Sequence, residues 1–134
     1  MVIVSSHAPD AGVVAFNKLT GDIVWKTPNL GNETYVSPTV ANISGEDQIV
    51  MVTSSTNPFG HPEAVKTLGK IIGIEPGTGK VLWEYTNWEC HISVAGAVDA
   101  GENRLLVVGG YELGCVMIKV EKNADGTFGV TELF

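Results

Sequence analysis

Hydrophobic residues in this chain fall in short, unbroken runs punctuated by glycine, asparagine, aspartate and proline. Gln48-Ile49-Val50-Met51-Val52, Ile71-Ile72-Gly73-Ile74 and Leu105-Leu106-Val107-Val108 are the clearest of them. Their β-branched content and their flanking turn residues mark them as strands, and no stretch carries a sustained helical period. A strand with one wet face alternates apolar and polar positions, whereas runs as uniform as these fit strands covered on both faces.

The runs recur in register. Val13–Trp25 matches Ile71–Trp83 without a gap at an offset of 58, and Val36–Glu46 matches Ile92–Glu102 at an offset of 56. Ser5-Ser6-His7-Ala8-Pro9 echoes Ser54-Ser55-Thr56-Asn57-Pro58 at 49, which places a nine-residue insertion, expected as a surface loop, within Phe59 to Leu68 of the second copy. A third copy starts at Gly114-Cys115-Val116 and ends at Phe134, which stands in place of the tryptophan, after a longer turn at Lys122-Asn123-Ala124-Asp125-Gly126. Thr20-Gly21 and Thr78-Gly79 sit where a tight turn needs positive φ, so they join antiparallel neighbours as hairpins.

One repeat thus reads as a four-stranded antiparallel meander, with strands expected near 36–42, 47–54, 69–75 and 80–86. Sheets buried on both faces by copies of themselves are the blades of a β-propeller. The expected fold is all-β: a single partial propeller domain over 1–134, with an incomplete blade at 1–28 and complete blades at 36–86 and 92–134. That is about 2.75 blades, and closed propellers have roughly four to eight, so an incomplete propeller results.

The pattern Ala15-x-Asn17-x-x-Thr20-Gly21-Asp22-x-x-Trp25, with its copy Gly73-x-Glu75-x-x-Thr78-Gly79-Lys80-x-x-Trp83, resembles the tryptophan-docking repeat of the pyrroloquinoline-quinone (PQQ)-type β-propellers. That family includes quinoprotein alcohol and glucose dehydrogenases and the lipoprotein of the outer-membrane barrel-assembly machinery. The resemblance implies a structural docking set of Ala15, Gly21, Trp25, Gly73, Gly79 and Trp83, in which each indole packs toward the neighbouring blade. It also implies an extracytoplasmic, periplasmic setting. PQQ and calcium enter as cofactors by this resemblance alone.

Composition narrows the function classes. The 134 residues carry 15 acidic and 8 basic side chains, a net charge of −7, and 44% are hydrophobic. Such a chain has a core and is not disordered, and its field, with no basic cluster to offset it, argues against nucleic acid as a partner. No apolar run reaches the length of a membrane span, so no membrane insertion is expected, and the first residues carry no secretory leader.

Glu75-Pro76-Gly77-Thr78-Gly79-Lys80 superficially resembles a phosphate-binding loop, but Val81 replaces the magnesium-binding hydroxyl and a strand follows, so it reads as a hairpin turn. His7, His61 and His91 lie far apart, and none has a second His, Cys or carboxylate at metal-ligand spacing except His91 with the adjacent Cys90, so they read as loop or core histidines. Cys90 and Cys115 are separated by a whole strand of the meander, too far for a bridge, and are expected as free thiols. A quinone enzyme needs a carboxylate base, oxygen ligands for calcium and a platform under the quinone. Asp99, Glu102, Asn103 and Glu89 are the acidic or amide residues near strand ends, and nothing distinguishes them from turn residues.

No catalytic or metal-binding residue is therefore assigned. The reading is a noncatalytic binding or scaffolding module, a fragment or an oligomerising unit, whose partners are other propeller blades or a protein. The alternatives are part of a quinoprotein oxidoreductase with catalytic residues mostly outside these 134, and the ectodomain of a sensor protein. Two copies would give roughly six blades and three roughly eight, the missing first strand being supplied in trans.

Overall fold

The computed structural model describes residues 1–6, 8–32, 34–55 and 67–134. Its described residues form eleven strands: β1 (Val2–Ser5), β2 (Val13–Phe16), β3 (Ile23–Lys26), β4 (Thr39–Ile43), β5 (Glu46–Val52), β6 (Gly69–Ile74), β7 (Val81–Trp88), β8 (Val98–Asp99), β9 (Arg104–Gly109), β10 (Gly114–Lys122) and β11 (Phe128–Glu132). They build a three-stranded sheet β1-β2-β3 and two four-stranded sheets, β4-β5-β6-β7 and β8-β9-β10-β11. Every pairing is antiparallel between strands consecutive in sequence. The chain is thus three consecutive meanders, the blades of an incomplete propeller. Among the described residues no helix is long and apolar enough to cross a membrane.

Strand ends follow local chemistry. The expected strand at 36–42 begins only at Thr39, because Pro38 has no N–H to give to a ladder. The expected strand at 80–86 runs on to Trp88, whose indole is buried. Gly21 and Gly79 adopt φ of 80° and 76°, the left-handed conformation that glycine takes without steric penalty. Most of the expected insertion at 59–68 lies outside the described residues, as do His7 and His61.

The uniform apolar runs bury both faces of the middle sheet. Ile49, Met51, Ile72 and Ile74 point to the first sheet, where they join Val13, Ala15 and Trp25. Val50, Val52, Ile71 and Trp83 point the other way, toward Leu105, Val107, Val116, Ile118 and Val120 of the third sheet. Burial of apolar surface, worth about 25 cal/mol per Å² removed from water, holds these two seams together.

The third sheet departs from the repeat at its first strand, where β8 has two residues against five in β4, and at its last hairpin. β10 is nine residues long and β11 pairs with it out to Lys122↔Phe128, so its hairpin extends past the turn level of the other two sheets. The Gly126 turn at its tip has no other group within 4 Å of a would-be Cβ.

Candidate functional site: the sheet seams and a rim cavity

The sequence singled out six residues, and the structure places five of them at the two seams in different ways, while Gly21 lies in an exposed turn. Trp25 leaves β3 and crosses to the second sheet, where its Nε1 donates to the Pro76 carbonyl at 2.9 Å. A Cβ on Gly79 would lie 2.5 Å from the Trp25 ring, so the bare turn is the surface on which the indole rests. Glu75 shapes that turn by accepting from the Thr78 hydroxyl and from Gly77 N. These donors hold the Glu75 carboxyl below its ordinary range, the Thr78 hydroxyl contributing most.

Trp83 behaves otherwise. A Cβ on Gly73 would sit 2.1 Å from its indole, so Trp83 lies flat on its own sheet and its Nε1 donates to Gln48 Oε1 at 2.7 Å. Ala15, paired with Trp25, stands where Gly73 stands opposite Trp83. Its methyl group forbids the same collapse, and Trp25 projects outward to the next turn. Trp83 is still buried at the second seam, among Ile118, Val120 and Val130. Gln48 Nε2 is buried there without a partner, which costs on the order of 1–3 kcal/mol. Of the six residues, the structure brings together Trp25 with Gly79, Gly73 with Trp83, and Ala15 with Trp25; the would-be Cβ of Gly21 has no neighbour within 4 Å.

Polar stitches complete the seams. Asp99 accepts from Asn42 N at 2.9 Å and from Gly101 N at 2.8 Å, and these bonds hold its carboxyl below the ordinary range, the Asn42 bond contributing most. Asn103 Oδ1 accepts from Ser44 N. Tyr85 donates to Glu132 at 2.6 Å, and burial, together with that carboxylate, pushes the phenol up to about 12. Asp99 and Asn103, two of the four residues noted near strand ends, thus act in turns and in contacts between sheets.

A buried hydroxyl cluster closes the opposite rim. Ser93 N donates to Ser54 Oγ at 2.8 Å, Trp88 Nε1 donates to Ser93 Oγ at 3.1 Å, and Ser93 Oγ donates to the Thr53 carbonyl. Main-chain bonds from Ser54 N to Asn32 O and from Ser55 N to Cys90 O tie both inter-sheet connections to this segment. Sequence reasoning missed the cluster, because isolated serines and threonines carry no periodic signal.

On the same rim the connection after β7 and the turn between β9 and β10 enclose a cavity of about 400 Å³. Glu89, Cys90, His91, Ile92, Gly110, Tyr111 and Leu113 line it. The sequence named Glu89, Cys90 and His91 separately, and their meeting with Tyr111 was not foreseen. The one available signal was the Gly109-Gly110-Tyr111-Glu112-Leu113-Gly114 stretch, in which Tyr111 and Glu112 take positive φ, 58° and 65°. That conformation turns the Tyr111 side chain out into solvent beside the cavity. Ser55 Oγ meets His91 Nδ1 at 3.2 Å, which orients the ring. Cys90 is buried, Cys115 is exposed, and both are free thiols.

This lining does not fit a calcium and quinone site. Among the described residues it offers a single carboxylate, Glu89, where calcium takes about six to eight oxygen ligands. Among the described residues no group of three or more His, Cys, Asp or Glu side chains converges.

Comparison of the chain with curated proteins and with solved structures finds no match in either. A family model does match it, over residues 1–124, nearly the whole of the repeat seen in the sheets. Three meanders stacked face to face, with repeated glycine turns and buried tryptophans, agree with that match: the chain belongs to the PQQ-like repeat family whose model is described as outer membrane protein assembly factor BamB.

Proposed function

We propose that the chain is a noncatalytic binding and scaffolding module that works outside the cytoplasm, in a periplasmic setting. In this reading Ala15, Gly21, Trp25, Gly73, Gly79 and Trp83 are the docking set that holds its blades, and the rim cavity is its contact surface for another protein. The observation that supports the reading is the cavity itself: concave, largely apolar, and lined by an aromatic ring and a few polar groups, as binding sites are. Its about 400 Å³ suits one or two bulky side chains of an extended segment. The family description names outer-membrane protein assembly, so strand segments of outer-membrane barrels are the probe of choice.

The test is fluorescence anisotropy of labelled barrel-strand peptides against the whole chain and against Leu113→Asp. A carboxylate at the cavity wall should weaken binding about tenfold or more while the unfolding midpoint stays put. Equal affinity of the two proteins would refute the assignment of the cavity. Saturable binding of PQQ in the presence of calcium would favour the quinoprotein reading instead.

A further inference from the structure

Two turns of the third sheet hold left-handed backbone at residues other than glycine, and they differ in what the strain returns. Between β8 and β9, Arg104 N donates to Gly101 O, with Glu102 and Asn103 at φ 53° and 62°. Between β9 and β10, Leu113 N donates to Gly110 O, with Tyr111 and Glu112 at φ 58° and 65°. Both central positions of such a turn call for glycine, asparagine or aspartate, and other side chains there strain the chain. The first turn is compensated from within. Asn103 Oδ1 accepts from Ser44 N, and Glu102 pairs with Arg104.

The second turn has no such return. Among the described residues neither Tyr111 nor Glu112 forms a side-chain hydrogen bond or ion pair, and Tyr111 is 82% exposed. A tyrosine held in a strained conformation and turned out of its own fold is accounted for by something it meets outside the chain.

The cavity beside it has matching walls. A Cβ on Gly109 would stand 2.5 Å from Leu113 Cδ2, so the bare glycine lets Leu113 lie back over its own strand as an apolar wall. Ile92 extends that wall and Glu89 brings a carboxylate. A smaller concavity of about 180 Å³ shares Glu89 and Leu113 with the first and adds a second carboxylate, Glu132. Among the described residues no lysine or arginine lines either one, and the chain as a whole carries a net charge of −7. Both walls belong to the second seam and its connections, inside the chain.

An aromatic ring, a carboxylate and an aliphatic wall around one cavity complement a side chain with a long apolar stem and a cationic head. Arginine meets all three, because its planar guanidinium stacks on a ring while it pairs with a carboxylate. We propose that the rim cavity selects a basic side chain, arginine before lysine, on the extended protein segment that it binds. The stem lies along Leu113 and Ile92, and the head sits between the Tyr111 ring and the Glu89 carboxylate. This rests on the reading of the cavity as a protein contact surface, and it adds which segments that surface takes.

The test uses three labelled peptides of alternating threonine and valine that differ only at the central position: arginine, its neutral isostere citrulline, or leucine. In fluorescence anisotropy against the whole chain, the arginine peptide should bind about tenfold or more tighter than the citrulline peptide, and the preference should shrink at high salt. Glu89→Gln should bring those two peptides to equal affinity. Tyr111→Gly should weaken the arginine peptide about fivefold or more while raising the unfolding midpoint, since glycine relieves the left-handed strain. Equal affinity of the wild-type chain for the arginine and citrulline peptides would overturn the inference, as would a Tyr111→Gly chain that binds the arginine peptide as tightly as wild type. Should the peptides bind equally, the leucine peptide separates the two readings. If Leu113→Asp weakens it, the cavity remains the contact surface without the selectivity; if Leu113→Asp leaves it unchanged, both readings fall.

Discussion

Replacing Gly79 by alanine isolates the contact that joins the first two sheets. Two costs add at this position. An alanine held at φ 76° occupies the left-handed region, worth about 1–2 kcal/mol. The new Cβ would also stand 2.5 Å and 2.8 Å from Cε3 and Cδ2 of Trp25, where carbon contacts prefer about 3.5–4.0 Å. The indole must therefore withdraw by about 1 Å. That lengthens its 2.9 Å bond to the Pro76 carbonyl past useful range, and overpacking of this kind costs about 1–3 kcal/mol.

Gly45 supplies the control, because it has φ 82° and open space around its would-be Cβ. Gly45→Ala should cost the backbone strain alone, and Gly79→Ala should exceed it by about 1–3 kcal/mol. Urea unfolding followed by tryptophan emission measures the difference, which at a slope of about 2 kcal/mol per M is an additional midpoint shift of about 0.5–1.5 M. In a Trp25→Leu background the excess should largely vanish, since the clashing ring is gone. Equal shifts for the two glycines in the wild-type background would refute the account of how the first seam is held.

Three further outcomes follow from the same geometry. Cys115 should react with a thiol reagent in the native state and Cys90 only on unfolding, given their exposure; two thiols reacting at one rate would contradict the burial of Cys90. Ser93→Ala should destabilise the chain by about 1–3 kcal/mol, read from the urea midpoint, because it leaves the Trp88 indole N–H without its acceptor. Asp99, whose carboxyl is held low by Asn42 N and Gly101 N, contributes stability that is present at neutral pH and lost as pH falls through the acid range. Unfolding midpoints of wild type and Asp99→Asn should therefore converge on acidification from pH 7 toward pH 3, and parallel pH profiles would count against that role.

The sheets were legible because their causes are local. Ile49 to Val52 and Ile71 to Ile74 state their two-sided burial in composition alone, and Gly21 and Gly79 announce left-handed turns. Phe134 was placed at the tryptophan position by counting along the repeat, and the β10–β11 register puts it there. The divergence of the two tryptophans was not legible. Whether an indole crosses a seam or lies on its own sheet depends on one methyl group opposite it, Ala15 or Gly73, and on Gln48, thirty-five residues away. The rim cavity was hidden for a related reason: its walls come from two connections that meet only after the second and third sheets have stacked.

The segment Thr53-Ser54-Ser55 grips the connections on both sides of the middle sheet, through Asn32 and through Cys90 and Ser93. In an ordinary stack of repeats an end unit can peel away while its neighbours keep their own contacts. Here the two outer sheets share one anchor. Pulling on either loosens the hydroxyl cluster that restrains the other, so the chain should yield to force or denaturant in a single step rather than sheet by sheet.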